Sequence, residues 1–284
     1  MLWLLATACQ ALEYSMTALT STMVEWNAEG YHRLSDPHVA WGVRVLARLP
    51  LAGDECVLDL GCGTGRLTER LLERLPRGHV VALDLSPNML QAARGYLAPR
   101  FATRVSFARA DALALPIHAR ADAVFSTATF HWVFDHEALF QSIFSALKPG
   151  GRFVAQCGGG ANIQRLHDRC ARVGEGTEFA TYFRNWRPPW HYADATTTAQ
   201  RLEAAGFTDI ATSIESSPVV QPDAAAYRDF VTNVICRPHL ARLPGEDLRN
   251  RFMDVITAEA ANDSPPFEID YWRLNLDARK PADP

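Results

Sequence analysis

Val57-Leu58-Asp59-Leu60-Gly61-Cys62-Gly63-Thr64-Gly65-Arg66 is the stretch that decides the fold. An apolar strand runs into an acid and three alternating glycines, and Leu67, Leu71, Leu72 and Leu75 follow at the spacing of an amphipathic helix. Glycines at such a turn permit positive φ and let backbone come close to a ligand. A phosphate would suit the following helix N-terminus, but Asp59 disfavours an anion and suits a cationic ligand better. The dinucleotide pattern needs a glycine where Arg66 stands, which argues against NAD.

Working outward, Val80 to Asp84, Val105 to Ala110, Ala121 to Thr127 and Arg152 to Cys157 repeat the short apolar run. Helical spacing separates them, as in Leu90-Ala93-Leu97 and in Leu139-Ile143-Phe144-Leu147, the latter expected to end at Pro149-Gly150. Alternating β and α units predict a parallel sheet. After Gly158-Gly159-Gly160 the pattern loosens, and six aromatics between Phe179 and Tyr192 crowd around Arg184 and Arg187, which reads as a lid. A helix from Thr198 to Ala205, a strand near Asp209 to Glu215 and a helical insertion from Asp223 to about Ala261 follow. The run Ile269 to Ala278 predicts a closing strand.

Asp84 ends the second strand nineteen residues past Gly65, where an acid accepts hydrogen bonds from ribose hydroxyls. Asp111 ends the third strand, placed for the exocyclic amine of an adenine, with Leu85 and Met89 able to sandwich the ring. Each acid alone would serve equally as a helix cap or turn residue. Three at successive strand ends point to a nucleoside.

With Leu147-Lys148-Pro149-Gly150-Gly151 added, this pattern resembles the class I S-adenosylmethionine-dependent methyltransferases. Trp26-Asn27-Ala28-Glu29-Gly30-Tyr31, His131-Trp132-Val133 and Leu274 to Arg279 resemble the trans-aconitate methyltransferase-like branch of small-molecule enzymes. The resemblance implies an α/β, Rossmann-like sheet of seven mostly parallel strands in order 3-2-1-4-5-7-6, the last antiparallel, with helices on both faces and helical insertions as a lid. It implies S-adenosylmethionine as cofactor, with S-adenosylhomocysteine as product and no metal. Asp59, Gly61, Cys62, Gly63 and Gly65 would hold the methionine end, Asp84 the ribose, and Asp111 with Ala112 the adenine; Leu85, Met89, Ser126 and Tyr31 complete the expected set. Ala82 and Thr127 depart from the residues common in relatives.

A carboxylate acceptor needs no base, whereas phenols, alcohols and amines usually must lose a proton; His131, just past strand four, is the candidate base, though it would equally well pack and hold the cofactor loop. Arg184 and Arg187 offer the fork that fits a carboxylate, and Trp26, Trp132, Trp186 and Tyr192 complete the expected acceptor site, either anionic or aromatic. The aromatic cluster also reads as a small satellite core, and the arginines as solvated surface.

The charge balance, 28 Lys and Arg against 32 Asp and Glu, gives −4 and no global positive field for nucleic acid. A protein- or nucleic-acid-modifying enzyme of the same fold, or a non-catalytic S-adenosylmethionine-binding module, stays a weaker alternative. Six scattered cysteines with no Cys/His group at zinc spacing fit the reduced cytoplasm. The apolar Met1 to Cys9 is too short for a membrane span. Residues 1–22 are expected to be a dispensable extension, with Met16 and Met23 as alternative starts, and 23–284 a single domain with lid insertions at about 161–192 and 217–265.

Overall fold

The computed structural model describes Ala28, Gly30 and residues 36–283. Trp26, Tyr31 and the extension 1–22 lie outside the described residues. The strands are β1 (Cys56–Leu60), β2 (His79–Asp84), β3 (Val105–Arg109), β4 (Ala121–Thr127), β5 (Leu147–Gly158), β6 (Thr208–Ser216), β7 (Val219–Val220), β8 (Glu268–Ile269) and β9 (Trp272–Arg279). Seven form one sheet in the order β3-β2-β1-β4-β5-β9-β6. The strands from β3 to β5 run parallel, and β9 lies antiparallel between β5 and β6. Leaving aside the separate β7–β8 pair, this is the expected order 3-2-1-4-5-7-6.

The helices are α1 (Asp36–Ala47), α2 (Arg66–Arg74), α3 (Pro87–Phe101), α4 (His136–Ala146), α5 (Gln164–Gly174), α6 (Ala180–Phe183), α7 (Ala195–Ala204), α8 (Ala224–Phe230), α9 (Arg237–Leu240) and α10 (Glu246–Ala260). Strand alternation sends Val57, Val80, Val105 and Phe125 to one face, packed on Leu46 of α1 and Leu49 just after it, Leu71 of α2 and Leu97 of α3. Leu58, Leu60, Val124, Phe153 and Leu276 go to the other, under Leu139 and Phe140 of α4 and Leu202 of α7. Burial on both faces explains the unbroken apolar strand runs. A third core joins the two insertions: Leu166 and Cys170 from α5, Tyr227 and Phe230 from α8, and Phe252 and Ile256 from α10 pack together with Trp41 and Tyr271.

Two of the boundaries that differ from the sequence reading have a clear cause. The helix ends at Ala146, not at Pro149-Gly150; Leu147 already pairs with Ala121, and the ladder resumes only at Ala123 with Arg152. The four residues Lys148 to Gly151 bulge between these pairs, which is where a strand tolerates proline. The closing run is also not one strand: Asp270 breaks from pairing because its carbonyl and carboxylate accept the N–H groups of Ile163 and Arg165 at the start of α5.

Candidate active site

The turn after β1 is held from two directions. Gly61 N and Cys62 N donate to Leu83 O at 2.8 and 2.9 Å, and Gly63 N donates to Asp84 Oδ2 at 2.9 Å. The other carboxylate oxygen of Asp84 accepts from Ser86 N at 2.9 Å, and Ser86 Oγ caps α3 by accepting from Met89 N. Asp84 therefore bridges the ends of β1 and β2. Gly61 has φ 77° and no room for a side chain, since a Cβ would stand 2.0 Å from Thr129 Oγ1. Gly63, at φ 54°, would meet nothing within 4 Å. Its outer side is open, which is the free backbone approach a bound nucleoside needs.

Asp59 is 2% exposed and accepts from Thr68 Oγ1 at 2.6 Å. Burial raises its pKa to about 7, opposed by the Thr68 hydrogen bond and assisted by the charge of Asp84. Ser126 is buried with Oγ donating to Leu60 O, so it fixes the end of β1. Met89 and Cys62 are also buried, while Leu85, Asp111 and Ala112 are partly exposed. Asp111 Oδ1 accepts from Leu113 N at 3.0 Å, the turn role that the sequence reading kept open.

These residues fit S-adenosylmethionine: an open glycine edge, a bridging carboxylate at the end of β2 and a buried acid at the end of β1 all stand at the C-terminal edge of the parallel strands, where this architecture binds ligands.

Beside that loop at the same edge is a small cleft. His131 and Trp132 enter it from the 3₁₀ turn Phe130–Trp132, Asn162 and His167 from the start of α5, Trp190 and Tyr192 from the loop before α7, and Tyr271 and Arg273 from β9 and its approach. Ala128, with φ 54°, turns the chain sharply after β4 so that His131 can reach it. A non-glycine residue there costs about 1–2 kcal/mol, a strain concentrated at functional turns.

His131 Nδ1 accepts from Gly158 N at 3.3 Å, which leaves the ring proton on Nε2. Burial, then the charge of Arg273 and the neighbouring His38, His167 and His136, holds its pKa well below the usual histidine range. Arg273, 2% exposed, pairs across the ladder with Gly158, donates from Nε to Gln156 Oε1 at 3.4 Å and lies 4.8 Å over the Trp41 ring. Asn275 braces Gln156 by accepting from its amide at 2.8 Å.

Of the expected acceptor residues, the structure brings Trp132, Tyr192 and His131 into this cleft. Trp186 lines a neighbouring cleft with His239 and Phe183. Arg184 and Arg187 are exposed and line neither cleft. The guanidinium at the site is Arg273, which sequence reasoning missed; its signal was a lone cation inside the apolar run Ile269 to Ala278.

The fold and the loop define a class I S-adenosylmethionine-dependent methyltransferase. Residues 57–151 match the family model of a methyltransferase domain. The chain is 30% identical to trans-aconitate 2-methyltransferase of Methylobacterium radiotolerans over 86% of its length and 92% of that protein. It is 32% identical to the enzyme of the same name from Paracidovorax citrulli over 78% of its length and 84% of that protein. The chain belongs to the trans-aconitate methyltransferase-like branch of the family. Its fold is shared with Haemonchus contortus phosphoethanolamine N-methyltransferase 2, solved with S-adenosylhomocysteine (TM-score 0.58, 19% identity, covering 90% of this chain and 57% of that one). It is also shared with the [4+2]-cyclase SpnF (TM-score 0.56, 20% identity, 86% and 81%).

Proposed function

We propose that this enzyme methylates a carboxylate oxygen of a small anionic acceptor bound in the cleft at Arg273. The observation that carries the reading is the composition of the cleft: among the described lining residues stand one buried guanidinium and three imidazoles, and no carboxylate. The names of its relatives agree, since trans-aconitate is an anion.

S-adenosylmethionine supplies an electrophilic methyl group on a sulfonium. Gly61, Gly63 and Gly65 with Asp59 would hold its charged amino acid end, Asp84 its ribose, and Asp111 with Ala112 its adenine. Leu85 and Met89 would flank the ring; Cys62 and Ser126 support the loop. Arg273, its Nε tied to Gln156, would orient one carboxylate of the acceptor by a charge-assisted hydrogen bond. A carboxylate is ionised at neutral pH and needs no proton removed. His131 would therefore donate from Nε2 to the acceptor, since its depressed pKa makes it a poor store for the proton of an alcohol or phenol. Trp132, Trp190 and Tyr192 would exclude water, which strengthens the arginine contact. Holding the acceptor in line is worth about 7–11 kcal/mol in such a displacement.

The test is transfer of labelled methyl into a panel of mono-, di- and tricarboxylates, phenols and amines. The expected product is a base-labile ester. Arg273→Ala should raise the acceptor KM and cut kcat/KM by a factor matching about 2–4 kcal/mol, whereas Arg184→Ala and Arg187→Ala should not. Label found only on amines or phenols, or wild-type kinetics for Arg273→Ala, would overturn the reading.

A further inference from the structure

Away from the methyl-transfer cleft, the core of the insertions brings together three side chains whose chemistry the reaction does not use. Cys170 lies on α5, Cys236 follows the π-turn Val231–Ile235, and His239 stands three residues further along, in α9. One donor atom of each lies within 4.8 Å of the others. The two Sγ atoms are 3.7 Å apart and hydrogen-bond each other. All three residues are at most 3% exposed. His239 Nδ1 is buried with no hydrogen-bond partner, and a buried polar atom so placed asks for a ligand.

We propose that Cys170, Cys236 and His239 form a zinc site that ties α5 to the start of α9. Two sulfurs on a tetrahedral zinc, each at about 2.3 Å, stand roughly 3.7–3.8 Å apart, the separation already present here. Three protein ligands leave a fourth position, and Cys170 and His239 both border the side cleft, where His167 also stands, so water or a small ligand has a path to it. The charges balance: zinc at +2, two thiolates and a neutral imidazole sum to zero, which suits a buried place. On binding, two S–H bonds break, two Zn–S bonds form and two protons leave to solvent.

The site reaches function through its neighbours. His167, one turn before Cys170, and Val234 and Ile235, immediately before Cys236, all line the acceptor cleft. Zinc would pin two of its walls together without entering the chemistry.

The test uses the full chain, stripped by chelator under reducing conditions and titrated with Zn²⁺ alone against a chromophoric competitor, then with Co²⁺ as a spectroscopic probe. One equivalent should bind, with a near-ultraviolet thiolate-to-cobalt charge-transfer band and the visible bands of a tetrahedral ion. Cys170→Ser and Cys236→Ser should abolish that band and weaken zinc by more than the roughly 100-fold at which loss of a supporting hydrogen bond around a metal tops out. Both should keep S-adenosylhomocysteine affinity, which reports an intact fold. If a cysteine variant does not fold, the wild-type spectrum decides alone. Absence of the thiolate band from wild type, or zinc binding equal in wild type and the folded cysteine variants, would overturn the proposal.

Discussion

Asp59 is an acid placed where ionisation is costly, and its titration is the most direct handle on the cofactor loop. Its pKa, raised to about 7 chiefly by burial, exceeds the ordinary carboxylate value of 3.8. Between these two values the folded chain holds a proton that the unfolded chain releases, so this group's contribution to stability is greatest at the acid end and declines as pH rises through the window. Asp59→Asn removes the titration. Its stability relative to wild type should therefore climb from pH 4 to 7 and level off above, measured by thermal melts of the ligand-free protein. A bound cation favours the ionised acid, so wild-type affinity for S-adenosylmethionine should tighten across the same window while that of the variant stays flat. Parallel pH profiles for the two proteins would refute both expectations. The acid itself was legible in the sequence, because it ends an apolar strand before three glycines. Arg273 was not: its value depends on Gln156 and Trp41, and neither is near it in the chain.

At the scale of the element, β5 and β9 meet beside the cleft proposed for the acceptor. Gly158 pairs there with Arg273 and donates its N–H to His131. An added Cβ would stand 2.6 Å from Asn162 Nδ2 and 2.8 Å from Tyr192 Cε1. Gly158→Ala should push these side chains into the cleft, raising the acceptor KM and costing about 1–3 kcal/mol of stability by overpacking, with cofactor affinity preserved. Gly95, within α3, meets nothing within 4 Å, and Gly95→Ala should stabilise by about 0.5–1 kcal/mol. Kinetics and denaturant melts on the pair separate the two; equal behaviour would remove Gly158 from the site. Strands were legible wherever period-two alternation or a short apolar run met a turn signal. The start of β5 was not, because Leu147 continues the apolar spacing of α4 while pairing with Ala121. The split before β9 was hidden for a similar reason: Asp270 and Tyr271 sit in an apolar run, and their exit from pairing is imposed by α5.

Across the whole molecule, the two halves of the site differ in how far apart their residues lie. The described residues proposed for the cofactor run from Asp59 to Ala112, with Ser126 shortly beyond, a nearly contiguous stretch whose strand-end acids declare themselves in order. The cleft proposed for the acceptor is lined from α1, the turn after β4, the start of α5, the loop before α7, the π-turn Val231–Ile235 and β9, whereas composition and spacing pointed to the exposed Arg184 and Arg187. Among the described residues no helix is long and apolar enough to cross a membrane. The third hydrophobic core allows a test of this division. Phe252 is fully buried within it, against Phe179 and Phe183. Phe252→Ala should cost about 3–5 kcal/mol, with acceptor turnover falling and S-adenosylhomocysteine affinity held at temperatures where the sheet stays folded, read by calorimetry and kinetics in parallel. Equal loss of both would mean that the insertions and the sheet fold as one cooperative unit. The strand order has a further consequence during synthesis. A nascent chain that has not yet delivered Trp272 to Arg279 already contains the whole glycine turn with Asp84 and Asp111, yet β6 has no strand to join and the guanidinium has not been made. On the ribosome the protein therefore gains the residues proposed to hold its methyl donor long before the arginine proposed to hold what it methylates.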